Sequence, residues 1–172
     1  CKEHKIYENN QLKPLSFAKQ YIIAEYPFLK TYKNITITLC RPAWIVGNRS
    51  WFKTYYLNHI KQHQSIPCYG LGNNLMNIIS VQSCAKEIVS LINQYPIKAV
   101  KNIVHFNSIT QKTFCDSLAQ YYQLPITHYH KKPKRMNKTA YEAFQISCNL
   151  SSHTSEAISD YNIETLLKKE SL

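Results

Sequence analysis

The sequence predicts an α/β fold with a largely parallel sheet. Two observations carry that reading. Helical and strand-like patterns alternate from residue 15 to residue 122, in the order helix, strand, helix, strand, helix, strand, helix. The chain also has 172 residues, 44% of them apolar and 18% charged, which is enough to bury one ordinary core.

The first helix is predicted over Leu15 to Tyr26, with Leu15, Ala18, Tyr21, Ile22 and Glu25 at three-four spacing. Pro14 suits its first turn, and Pro27 is expected to end or kink it. Ile35 to Cys40 is short and β-branched, so it reads as a strand, followed by a loop through Arg41, Pro42 and Gly47. Ser50 can cap a helix running to His63. Pro67 to Asn74 is a turn-rich connection, and Leu75 to Val81 reads as a strand. A helix over Gln82 to Gln94 places Ala85, Ile88, Val89 and Ile92 on one face. Ile103 to Phe106 is the next strand, and Thr110 to Tyr122 the next helix, with Phe114, Leu118 and Tyr121 inward. Residues 123–172 are less regular, with short helices expected near 137–145 and 163–170.

Composition excludes several classes. The three glycines, Gly47, Gly70 and Gly72, form neither a P-loop nor a dinucleotide fingerprint, both of which need clustered glycines where backbone meets phosphate. No apolar run is long enough to span a membrane, and no interaction with one is expected. The six cysteines contain no C-x-x-C pair, and most sit in apolar stretches. They predict buried free thiols, a reducing, cytoplasmic compartment and no metal centre. His59 and His63 have the i, i+4 spacing of a metal pair but no third ligand nearby, so they read as surface histidines.

Lysine and arginine outnumber aspartate and glutamate by 21 to 10, a net charge of +11. Lys131, Lys132, Lys134, Arg135 and Lys138 form a run with no acid among them. Tyrosine interleaves with lysine at Lys53 to Tyr56 and Tyr129 to Lys132. A basic non-catalytic module binding RNA or another polyanion is therefore one functional reading.

A second reading comes from six segments, the last of which, Ser151 to Leu167, is like a closing segment. Pro14-Leu-Ser-Phe-Ala-Lys19 followed by Glu25 resembles a P-Y-x-x-S-K…E segment. Thr38-Leu-Cys-Arg-Pro-Ala-Trp-Ile-Val-Gly47 resembles an R-P-x-x-x-Y-G strand and loop. Pro67 to Gly72 is similar to a P-x-x-G-x-G turn, Asn77 to Ala85 to an F-I-H-V-D-D-V-A segment, and Ile103 to Asn107 to a later strand. In order and spacing they resemble the NAD-dependent epimerase/dehydratase family, the extended short-chain dehydrogenases.

That resemblance implies a Rossmann-type parallel sheet over 1–122 and a small substrate-binding subdomain over 123–172. It implies NAD or NADP as cofactor and a sugar-nucleotide or similar hydroxyl or keto substrate. Lys19, Pro42, Ala43 and Ile45 would face the cofactor, and Arg49, Tyr69, Gly70 and Asn73 the substrate. Lys19 is also the residual catalytic residue, because Leu15 stands at the family's catalytic tyrosine and carries no proton. Met76 stands at the arginine that binds the diphosphate in nucleotide-sugar members, and Ser83 at an acid. The resemblance begins partway along the family's chain. The dinucleotide-binding half is therefore expected before residue 1 or on a partner chain, with self-association a further expectation and catalysis by this chain alone not expected.

Overall fold

The computed structural model describes residues 7–8, 18–30, 35–47, 49–93, 99–104, 107–150 and 162–167. The element order is α1 (Ala18–Lys30), β1 (Thr38–Pro42), β2 (Trp44–Val46), a π-helical turn (Lys53–Leu57) leading into α2 (Asn58–His63), β3 (Ile66–Tyr69), β4 (Leu75–Met76) and β5 (Ile78–Ser80). There follow α3 (Val81–Asn93), β6 (Ala99–Ile103), β7 (Ile109–Thr110), α4 (Gln111–Tyr122), β8 (Ile126–Tyr129), α5 (Lys138–Ala143) and α6 (Ile163–Leu167).

Three strand pairs are parallel: β1 with β6, β2 with β5, and β3 with β8. Only β4 with β7 is antiparallel among the described residues. Parallel pairs need long crossovers, and the helices supply them. The predicted α/β class is the observed one.

Pairing, more than β-branching, sets the strand limits. β1 begins at Thr38 rather than Ile35 and runs through Pro42, which sits at its last position opposite Ile103. Proline is tolerated there because the donor that faces β6 is the N–H of Ala43, which bonds the Ile103 carbonyl at 3.0 Å, so Pro42 leaves no bond to β6 unmade. β6 likewise starts at Ala99, four residues before the predicted strand. The predicted strand over 75–81 is split at Asn77, whose carbonyl accepts from Trp44 N–H at 3.0 Å. Its last residue, Val81, opens α3 instead, because the Ser80 hydroxyl accepts the Ser83 N–H at 3.0 Å and caps that helix.

α1 passes through Pro27 and ends at Lys30, so the proline does not stop it. The N–H that proline lacks would have bonded the Ile23 carbonyl, and Ile23 is 71% exposed, where water can take that carbonyl. The helix is fastened to β1 by one ion pair. Arg41 Nη2 donates to Glu25 Oε2 at 2.6 Å and Nε donates to the same oxygen at 3.1 Å, with both side chains largely buried. Arg41→Ala leaves the Glu25 carboxylate without this partner and is expected to cost about 1–2 kcal/mol. A urea midpoint equal to that of the parent chain would overturn this.

α4 follows its prediction in extent, with Phe114 and Leu118 buried, but Tyr121 is exposed rather than inward. Thr110 is extended and its hydroxyl accepts the Thr113 N–H at 3.0 Å, so the helix starts one residue later, at Gln111.

Two apolar cores form. The larger joins Val46, Phe52, Tyr56, Ile66, Met76, Phe114, Leu118, Phe144 and Leu166. Its centre is aromatic: Phe52 stacks on Tyr56 at 5.8 Å, and Phe114 meets Tyr56 edge-on at 5.2 Å. The smaller joins Ala43, Ile79, Cys84 and Ile103 between the parallel strands and α3. Residues on both sides of position 122 share the larger core, because β8 pairs with β3. Cys68, Cys84 and Cys115 are buried free thiols, and Cys40 and Cys148 are half-buried.

Candidate functional site

A cleft of about 700 Å³ opens where β1 runs into β2. Pro42, Ala43, Trp44 and Ile45 form one wall, Trp51 and Tyr55 a second, and Ala140, Phe144 and Cys148 a third, with Tyr21 of α1 at the rim. Each wall has a local cause. The Ser50 hydroxyl donates to the Gly47 carbonyl at 2.8 Å and accepts the Phe52 N–H at 3.2 Å, closing the turn that brings Trp51 over Trp44. The two indoles meet edge-on at 4.8 Å. The π-turn, marked by Asn58 N–H donating to the Lys53 carbonyl, rotates Tyr55 toward the cleft.

The cleft is apolar and aromatic. None of its described lining residues is an acid, histidine, lysine or arginine. Burial pushes the Cys148 thiol up, so it stays protonated near neutral pH. The arrangement can stack a flat ring and exclude water. Its ionisable groups among those residues are the phenols of Tyr21 and Tyr55 and the Cys148 thiol.

Tyr55 also borders a second hollow of about 340 Å³, with Tyr69, His59, His63, Lys134 and Arg135 around it. A third, of about 300 Å³, holds Asn73 with Asn74, Gln145 and Ser147.

The sequence-predicted residues therefore separate. Pro42, Ala43 and Ile45 meet in the cleft. Tyr69 turns to the second hollow and Asn73 to the third. Gly70 adopts φ +75°, and a side chain there would run into Gln145, whose amide donates to the Tyr69 carbonyl at 3.1 Å. Arg49 is exposed in the turn after Gly47 and lines none of these hollows. Lys19 is exposed on the first turn of α1 and is absent from the cleft lining, whereas Tyr21 is present there. Leu15 lies outside the described residues.

The basic run is also divided. Lys132 Nζ donates to the Met136 carbonyl at 3.0 Å, and Lys138 pairs with Glu142 at 3.6 Å. Lys131 is exposed. Only Lys134 and Arg135 of this run face a hollow, in company with histidines more than seventy positions earlier. Trp44, Trp51 and Tyr55 were missed as cleft residues; aromatic residues flanking the glycine loop were the available signal. Among the described residues no group of three metal-binding side chains occurs, and no helix is long and apolar enough to cross a membrane.

No protein-family model matches the chain, and no curated protein matches its sequence. Solved structures do. MoeE5 in complex with UDP-glucuronic acid and NAD superimposes with a TM-score of 0.74 over 98% of this chain and 58% of its own, at 12% identity. The fold is Rossmann-like. DesIV, a dTDP-glucose 4,6-dehydratase from Streptomyces venezuelae with NAD bound, gives a TM-score of 0.72 over 97% of this chain and 53% of its own, at 12% identity. A UDP-N-acetylglucosamine 4-epimerase from Methanobrevibacter ruminantium gives 0.66 over 94% and 54%, at 16% identity. The chain spans a little over half the length of these structures.

Within this Rossmann-like fold, Met76 is fully buried in the larger core, so the position faces packing rather than a ligand. Ser83 is held by Ser80 in the first turn of α3. For a dinucleotide, the described residues fit one end only. Pro42, Ala43 and Ile45 form an apolar wall of the cleft, of a kind that a flat ring could pack against. Gly47 lies in a turn, and Gly70 and Gly72 lie on the β3 side, so no described glycine opens a helix that could cradle the pyrophosphate.

Proposed function

We propose that this chain is the substrate-facing portion of an NAD(P)-dependent sugar-nucleotide epimerase or dehydratase relative, and that it is not catalytic by itself. The observation that supports this most is the aromatic cleft at the carboxyl end of β1, because open α/β sheets take their ligands beyond the carboxyl ends of their strands. In this reading Pro42, Ala43 and Ile45 pack against the nicotinamide, and Trp44, Trp51 and Tyr55 enclose the sugar and keep water out. A bound nicotinamide would supply hydride transfer. The chain's own part is to orient and to exclude water. Leu15 at the tyrosine position, and a cleft without an acid, histidine, lysine or arginine among its described lining residues, leave proton transfer to other groups.

The test is titration with UDP-glucose and with NADH, read by the fluorescence of Trp44 and Trp51. UDP-glucose is expected to quench it saturably, and NADH is expected to bind no tighter than about millimolar, for want of a pyrophosphate cradle. No response to UDP-glucose, or micromolar NADH affinity, would overturn the reading. Leu15→Tyr is expected to leave nicotinamide turnover at background in this chain alone.

A further inference from the structure

β8 carries His128, and His130 follows directly after its last residue; neither lines the aromatic cleft or the second hollow. Strand alternation sets the side they occupy. Tyr129 turns to the second hollow and meets His59 edge-on at 5.6 Å, and Thr127 donates to the Ser65 hydroxyl at 3.0 Å. His128 and His130 therefore share the opposite face. Their ring centroids are 6.0 Å apart, and the rings are 10° from parallel. Both residues are exposed, and among the described residues neither has a hydrogen-bond or ion-pair partner.

The backbone beneath the pair is fixed. β8 runs parallel to β3 with His128 opposite Cys68 and Tyr129 opposite Tyr69. The Gly70 N–H then donates to the Tyr129 carbonyl at 2.9 Å, which holds the end of the strand. The two histidine backbones are thus set two residues apart on one face, while their side chains remain free to turn. An imidazole nitrogen binds a divalent transition ion at about 2.0–2.1 Å, which puts the ion about 3.2 Å from the ring centroid. Two rings on one ion then have centroids about 4.5–6 Å apart, as the angle at the metal opens from about 90° to about 140°. The observed spacing lies at the wide end of that range. Rotation about χ1 and χ2 between staggered wells turns the two nitrogens toward a common point.

We propose that His128 and His130 together chelate one divalent transition cation of the nitrogen-preferring kind, such as nickel, copper or zinc. Imidazole suits these ions, whereas magnesium and calcium take oxygen ligands. The second ring closes the chelate from a position already beside the ion, so two imidazoles on one strand bind far more tightly than either alone. Two protein ligands are fewer than a structural or catalytic zinc site carries, so water fills the remaining positions and the ion exchanges. The pair on α2 is less suited, although its rings are 4.5 Å apart. His59 Nε2 is 3.2 Å from the Ser65 hydroxyl, and that pair shares its hollow with Lys134 and Arg135, whose charge opposes a cation.

The test titrates the full chain with nickel(II) and follows the imidazole ring protons by nuclear magnetic resonance, since a bound paramagnetic ion broadens the rings that hold it. His128→Asn and His130→Asn assign the two signals; both residues are exposed, so the fold is retained. Below one equivalent, the His128 and His130 signals are expected to broaden together and before those of any other histidine. Either substitution alone is expected to weaken nickel(II) binding at the remaining ring at least about tenfold, because a single imidazole replaces a chelate. Magnesium in large excess is expected to leave the nickel(II) response unchanged. Broadening that starts at His59 and His63, or that reaches only one ring of the β8 pair, would overturn the proposal. So would a nickel(II) response of His128 that is unaltered by His130→Asn, or displacement of nickel(II) by magnesium. The pair shares no residue with the aromatic cleft, so the UDP-glucose response of Trp44 and Trp51 judges that reading separately.

Discussion

Gln111→Leu is expected to destabilise the chain more than Arg41→Ala does. Gln111 is fully buried, and its amide joins three segments distant in sequence. Its Oε1 accepts the Tyr69 N–H at 2.6 Å, at the end of β3. Its Nε2 donates to Asn74 Oδ1 at 3.2 Å and to the Phe144 carbonyl at 3.0 Å. Leucine fills most of the volume but leaves those three partners buried and unsatisfied. At about 1–2 kcal/mol for each orphaned group, the loss is about 3–6 kcal/mol. For a chain of this size that is a fall in Tm of about 10–20 °C. Gln111→Met, closer in shape, is expected to fall almost as far, which separates lost hydrogen bonds from lost packing. Thermal melts by circular dichroism decide it; a Gln111→Leu melt within about 2 °C of the parent would sink the claim. The same amide fixes Phe144, which lines the cleft, so weaker UDP-glucose quenching is expected to accompany the lost stability.

The second large effect is expected in solution behaviour. α1 leaves Tyr21 67% and Ile23 71% exposed, and Tyr26, Phe28 and Leu29 are exposed as well. Beside its end lies an apolar hollow of about 290 Å³ formed by Phe28, Leu29, Ile37, Ala99 and Val100. Each such side chain gains up to about 1.5–3 kcal/mol when fully covered, so pairing α1 faces, which covers several on each chain, offsets a cost of association of several kcal/mol. The 172-residue chain is expected to self-associate with rising concentration, and Ile23→Glu with Phe28→Glu to return it to a monomer. Light scattering after size-exclusion chromatography tests this. A parent chain that stays monomeric at every concentration, or an oligomer untouched by the two charges, would show that α1 is not the contact.

Local chemistry made much of this protein legible in its sequence. Apolar spacing placed α3 and α4 along the chain, and Thr110 marked the start of α4, because a cap is set by residues within one turn. The expected α3 face of Ala85, Ile88, Val89 and Ile92 is exposed, and Cys84 and Leu91 pack inward instead. The order of Lys19, Arg41-Pro42, Gly70 and Gly72 resembled one family, and the solved structures share the fold that the resemblance implied. Other features depended on partners far along the chain. β1 is displaced toward Pro42 because β6 sets its register, and β2 exists because β5 lies beside it. Pro27 fails to end α1 because its turn faces solvent, an exposure no spacing reveals. The basic run read as one patch, yet folding spends Lys132 on the Met136 carbonyl and Lys138 on Glu142, and carries only Lys134 and Arg135 to His59 and His63. Sequence determined where α1, α3 and α4 form and which chemical groups are present, but β2 and β3 fall where it reads a loop and a turn-rich connection. Tertiary structure decided which of those groups share a hollow, because strand pairing and core packing act between residues whose separation along the chain carries no periodic signal.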